Sequence, residues 1–67
     1  MTMEITINQQ ALKLAENASL SDALAAFGAQ PPFAAAVNGD FVPKAQYGAR
    51  QLRPGDRVDV VQPVAGG

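Results

Sequence analysis

Met3, Ile5 and Ile7 alternate with Glu4, Thr6 and Asn8 at the start of the chain. A period of two predicts a strand with one buried face. Asn8-Gln9-Gln10 turns the chain into a short second strand, with Leu12 and Leu14 on its apolar face, so the two form an opening hairpin. The period then lengthens. Ser19 is placed to cap a helix and Asp22 lies three residues on, close to a capping box. Leu20, Ala23, Leu24 and Phe27 follow at helical spacing, Gly28 suits the left-handed residue after a helix, and Pro31-Pro32 prevents a restart. One amphipathic helix is expected from about Leu20 to Phe27.

Beyond it, Phe33 to Val37 is an apolar run that ends at Asn38-Gly39, a strong signal for a two-residue hairpin. Phe41-Val42 returns as a brief strand, which Pro43 confines to a sheet edge or a strand end. Lys44 to Leu52 carries no clear period and reads as a turn or a short helical piece with Tyr47 and Leu52 tucked inward. Pro54-Gly55-Asp56 is a turn. Arg57 to Gln62 reads as the last strand, with Val58 and Val60 inward and Asp59 and Val61 outward. Pro63 ends the pairing, and Val64 to Gly67 is expected to be an exposed, mobile tail. Strand, strand, helix, strand, strand, strand gives a two-layer α+β fold with one helix on one face of a mixed sheet of about five strands. With the first and last strands parallel at the centre, the right-handed crossover makes this a β-grasp. The expected division is a domain of residues 1–63 followed by a tail of residues 64–67.

Composition narrows the chemistry. The chain has 67 residues, room for one small domain, and its 48% hydrophobic content leans on Ala, so the core is shallow. It has no Cys and no His, which removes disulfides, thiolate metal sites and the usual general base near neutral pH. Asp and Glu form no evident pair, so an independent enzyme is the weakest reading. Formal charge is −1, with Lys13, Lys44, Arg50, Arg53 and Arg57 against six acids, which argues against nucleic-acid binding. The first ten residues do not read as a signal peptide and no run is long enough to span a bilayer, so the expected setting is cytoplasmic and away from membranes. A monomer is expected when the chain is free.

The candidate chemistry lies in Val64-Ala65-Gly66-Gly67. A frayed end or a truncation scar would look the same at this level. Two glycines, however, can thread a narrow channel and present a carboxylate inside another protein's active site. A carboxylate becomes an acylating agent once adenylation gives it a leaving group. A sulfur nucleophile then displaces AMP and leaves a thiocarboxylate. The chain has no phosphate-binding loop of its own, so it binds no cofactor and a partner must use the ATP.

Two internal segments support this. Ala36-Val37-Asn38-Gly39-Asp40-Phe41-Val42-Pro43-Lys44-Ala45-Gln46-Tyr47 resembles the hairpin, V-P-basic step and following aromatic of the ThiS family of thiamine-biosynthesis sulfur carriers. Leu52-Arg53-Pro54-Gly55-Asp56-Arg57-Val58 is similar to that family's L-x-x-G-D turn into the last strand, and Gly66-Gly67 to its terminus. Gly48 departs from the pattern. The G-D turn and Gly-Gly are shared with molybdopterin-synthase small subunits, while the short length and V-P-K-A-Q-Y favour the thiamine side.

The resemblance implies a ThiF-like adenylating enzyme acting on Gly67, a sulfurtransferase or cysteine desulfurase, and a ThiG-like thiazole synthase that consumes the sulfur. The tail Val64, Ala65, Gly66 and Gly67 would enter partner active sites, with Gly67 carrying the sulfur. The competing functions are a carrier for molybdopterin or another sulfur-dependent product, and a non-catalytic ubiquitin-like binding module.

Each remaining residue also has a plain structural reading. Asn38-Gly39, Gly55 and Asp56 are turn chemistry first, and Leu24, Phe27 and Phe33 are expected in the core. Phe41 and Tyr47 are core-edge residues or part of a docking patch, with the core favoured. Val61 and Val64 face outward beside the tail, so they are candidates for partner docking as well as ordinary exposed side chains. Lys44, Arg50, Arg53 and Arg57 form a solvated surface or steer an acidic partner.

Overall fold

Met3, Ile5 and Ile7 are each less than 5% exposed, which is what makes Thr2–Ile7 a strand (β1). The structure is a computed structural model, and it describes residues 1–62. Residues 63–67, and with them the expected boundary between a domain of residues 1–63 and a tail of residues 64–67, lie outside the described residues. β2 (Gln10–Ala15) pairs antiparallel with β1, Met3 opposite Leu14 and Ile5 opposite Leu12. The turn between them is Asn8-Gln9 alone, because Gln10 already pairs with Ile7. Both turn residues have positive φ, 50° and 71°.

The helix α1 (Leu20–Phe27) occupies the expected span. Its capping box is complete: the Asp22 N–H donates to Ser19 Oγ at 3.2 Å, and the Ser19 N–H donates to Asp22 Oδ2 at 3.0 Å. Asp substitutes for the usual Glu or Gln, reaching back to the cap. Gly28 closes the helix at φ 84°, its N–H donating to the carbonyls of Leu24 and Ala25. Leu20, Ala23 and Leu24 form the buried stripe.

β3 (Ala34–Val37) and β4 (Asp40–Val42) make the second hairpin through Asn38 (φ 52°) and Gly39 (φ 86°), the left-handed pair that a tight hairpin turn requires. The segment after Pro43 is a single 3₁₀ turn, Lys44–Gln46, and β5 (Arg57–Val61) completes the sheet, ending one residue before Gln62. Strand order is β2-β1-β5-β3-β4, with β1 and β5 parallel and the other pairs antiparallel. This is the expected β-grasp: a five-stranded mixed sheet with one helix on one face.

The core is the inner sheet face, carrying Ile5, Ile7, Val37 and Val58, against Leu20 and Leu24 of the helix, with Leu52 filling in from the long connection. Two expected core residues are corrected. Phe27 and Phe33 are half-buried and pack against the core from its margin. A single two-turn helix covers too little of the sheet to enclose them. Phe33 stacks instead on Tyr47, ring centroids 5.8 Å apart and planes within 7°.

Candidate functional site

β5 is the element that leads toward Gly67, and its alternation decides what surrounds the exit. Val58 and Val60 turn inward, so Asp59 and Val61 turn outward, and Val61 is 66% exposed as expected. Val61 pairs with Ala34 on β3, and Ala36 on β3 pairs with Phe41 on β4. By strand alternation all four side chains lie on the sheet face away from the helix. With Asp59 they line a shallow apolar depression of about 170 Å³. Asp59 is held toward Arg57 at 3.6 Å.

Phe41 corrects the expectation that favoured the core. It is 69% exposed, because alternation along β4 turns Val42 inward and so sets Phe41 on the outer face. Tyr47 is half-buried at the core margin, consistent with its expected inward position. The two candidate docking residues, Phe41 and Val61, therefore share one face, separated by small alanines that leave room for an inserted side chain. Sequence reasoning missed Ala34 and Ala36, whose place in an unbroken apolar run hid which of them face out.

The end of β5 is fastened on both edges. β3 pairs with it through Val61. On the other edge regular pairing with β1 stops at Ile7 opposite Val58. There the Asn8 side chain continues it, accepting from the Val60 N–H at 2.8 Å and donating to the Val60 carbonyl at 3.2 Å. Gln62 Nε2 donates to the Gln30 carbonyl at 2.8 Å. Neither Asn8 nor Gln62 was a sequence candidate. The turn position of Asn8 was the available signal.

The other candidates divide. Gly55 (φ 84°) and Asp56 are turn chemistry: the Asp56 carboxylate accepts from the Arg53 N–H at 2.8 Å and from Asn38 Nδ2 at 3.0 Å. The expected basic set does not gather in one place. Arg50 and Arg53 line a polar bay with Asn38, Gln51 and Asp56, Arg57 is engaged by Asp59, and Lys44 sits on the 3₁₀ turn. Val64, Ala65, Gly66 and Gly67 lie outside the described residues. Among the described residues no group of His, Cys, Asp and Glu could hold a metal ion, and no helix is long and apolar enough to cross a membrane.

The sequence profile of the ThiS family matches residues 2–67, the whole β-grasp body and the Gly-Gly end together. The chain belongs to the ThiS family. Its fold is that of the thiamine biosynthesis protein ThiS from Geobacter metallireducens, whose crystal structure matches it with a TM-score of 0.79 at 22% identity. The match covers 97% of this chain and 100% of that one. No curated protein matches the chain by sequence. ThiS-family membership accords with the hairpin and G-D turn segments, both of which occupy the structural positions expected of them.

Proposed function

We propose that this protein carries sulfur for formation of the thiazole ring of thiamine, as the C-terminal thiocarboxylate of Gly67. A partner enzyme transfers AMP from ATP to the Gly67 carboxylate and releases pyrophosphate. Sulfur delivered at the sulfide level by a sulfurtransferase then attacks the acyl carbon, AMP leaves, and a thiocarboxylate remains for thiazole synthase to consume. The chain is a cosubstrate in these steps, and its own residues bind and aim rather than catalyse. The observation that carries this reading is the family match running without a break from the β-grasp body through Gly67.

The face formed by Ala34, Ala36, Phe41 and Val61 is the proposed docking surface for the activating enzyme. It includes Val61, the last residue of β5, so a partner seated there meets the end of the strand that precedes the Gly67 carboxylate by six residues in sequence. Val64, Ala65 and Gly66 are the proposed entering segment, lacking bulk where a channel would be narrowest.

The test is the intact mass of the protein after incubation with ATP, its host's activating enzyme and a sulfur donor. The expected result is a gain matching one oxygen replaced by sulfur, absent when Gly67 is deleted. An unchanged mass, with the activating enzyme active on a known carrier, would overturn the carrier reading and make the binding-module alternative the better one. Supplying the product to thiazole synthase and to molybdopterin synthase separates the two sulfur pathways.

A further inference from the structure

We propose that the polar bay beside the start of β5 is a docking site for the side-chain carboxylates of an acidic segment on a partner protein. Arg50, Gln51 and Arg53 line it from the long connection, and Asn38 and Asp56 line it from two turns. Leu52 is the inward residue of that stretch, 4% exposed, while its neighbours Gln51 and Arg53 are exposed on either side of it. The backbone beneath them is tied down. The Leu20 N–H donates to the Arg50 carbonyl at 2.8 Å, Gln51 bridges to Ser19, and the Leu52 N–H donates to the Ala18 carbonyl at 3.0 Å. Asn38 is fixed as well, since its amide accepts from the Arg57 N–H at 2.9 Å and donates to Asp56 at 3.0 Å. The walls are therefore set before any ligand arrives, which lowers the ordering cost of binding.

Among the described residues the one ion pair is Arg57–Asp59, so neither guanidinium of the bay has a carboxylate partner there. Asp56 is the one carboxylate in the lining, but its oxygens accept from the Arg53 backbone N–H and from Asn38 instead. Two guanidiniums and that carboxylate leave the bay with one net positive charge, on a chain whose formal charge is −1. One added carboxylate neutralises it, whereas a phosphate dianion would overshoot beside Asp56. The lining has no aromatic ring on which a base could stack, which argues against a nucleic acid. At about 360 Å³ the bay is larger than a lone ion needs. It falls within the roughly 300–1,000 Å³ of sites that take larger ligands, so an acidic side chain with its backbone suits it better than a free ion. An arginine fork grips such a carboxylate through two parallel hydrogen bonds. The bay shares no lining residue with the outer apolar depression, so the contact is separate from the docking face proposed above and does not depend on the sulfur-carrier reading.

The probe is a tetraglutamate peptide, acetylated and amidated so that its only charges are side-chain carboxylates. It is titrated at low salt into the isotope-labelled full chain, and the backbone amide shifts are followed by NMR. The expected result is a saturable shift centred on Arg50, Gln51, Arg53 and Asp56. Affinity should fall as salt rises to about 0.1 M, where screening acts within about 10 Å. Combining Arg50→Gln with Arg53→Gln should weaken binding about tenfold, a few-fold for each exposed charge contact, while Lys44→Gln changes it by less than about twofold. Both arginine side chains lie outside the core and the Asp56 turn uses the Arg53 backbone, so the double variant should keep the wild-type unfolding midpoint. Shifts that spread equally to Lys13 and Lys44, or that persist undiminished in the double variant, would show general charge attraction and overturn the proposal. Inorganic phosphate that shifts the same amides at lower concentration than the peptide, at matched ionic strength, would make the bay a phosphate site and overturn it too. No saturable shift in the millimolar range, the weak end of measurable affinity, would overturn it outright.

Discussion

Gln9 sits at φ 71° next to Asn8 at 50°, so the first hairpin turns on two left-handed residues and neither is glycine. An L-residue in that region is strained by roughly 1–2 kcal/mol, less for Asn, whose short amide bonds locally. Gln9 is exposed and its side chain makes no hydrogen bond in the described structure, so the strain there is uncompensated. Gln9→Gly is expected to stabilise the fold by about 1 kcal/mol, read as a higher urea midpoint at constant slope; a lower midpoint would contradict the turn geometry. Both hairpins use their first turn residue alike. Asn8 reaches Val60, while Asn38 accepts from the Arg57 N–H at 2.9 Å and donates to Asp56, so two asparagines fasten the two ends of β5. The sequence made Asn38-Gly39 readable as a turn because the backbone requirement is local. It could not reveal where either amide goes, since the partner of Asn8 lies 52 residues away.

Among the elements, α1 shows how little local preference supports by itself. Eight residues make about two turns, too short to persist alone in water, so the helix exists because Leu20, Ala23 and Leu24 are buried against the sheet. Ser19→Ala should therefore cost only about 1 kcal/mol, the usual effect of losing a cap. Leu24→Ala should cost about 2–5 kcal/mol, enough to leave a domain of this size largely unfolded in a thermal melt. Equal losses for the two variants would mean that the cap, not the packing, sustains the helix. Its boundaries were legible because Ser19 and Gly28 are punctuation that acts within one turn. The connection after β4 was not legible for the opposite reason. Leu20 N–H donates to the Arg50 carbonyl at 2.8 Å and Leu52 N–H to the Ala18 carbonyl at 3.0 Å, so its path is set by a distant partner. The half-burial of Phe27 and Phe33 is of the same kind, because apolar character predicts a wish to be buried but not whether the layer above is wide enough.

On the scale of the whole molecule, the outer sheet face is divided. The β1–β2 side carries Thr2, Glu4, Thr6 and Lys13, as a solvated face should. The β3–β4–β5 side presents Ala34, Ala36, Phe41 and Val61 around one depression. A single exposed Phe or Val needs no explanation. Contributions from three adjacent strands, next to the strand that leads to Gly67, form a surface suited to an apolar partner. Phe41 and Val61 were identifiable one at a time in the sequence, but their meeting depends on the Ala34–Val61 and Ala36–Phe41 register, which only the paired strands supply. With the activating enzyme, Phe41→Ser should raise KM by more than about tenfold, the loss of a centrally packed aromatic anchor. Because Phe41 is 69% exposed, the unfolding midpoint should barely move. Lys13→Ser, on the polar half of the same face, is the matched control and should leave both quantities unchanged. If Phe41→Ser and Lys13→Ser behave alike in carrier-saturation curves, the partner does not use this half of the sheet. A rise confined to Phe41→Ser, with kcat preserved, assigns the outer apolar face to recognition of the partner.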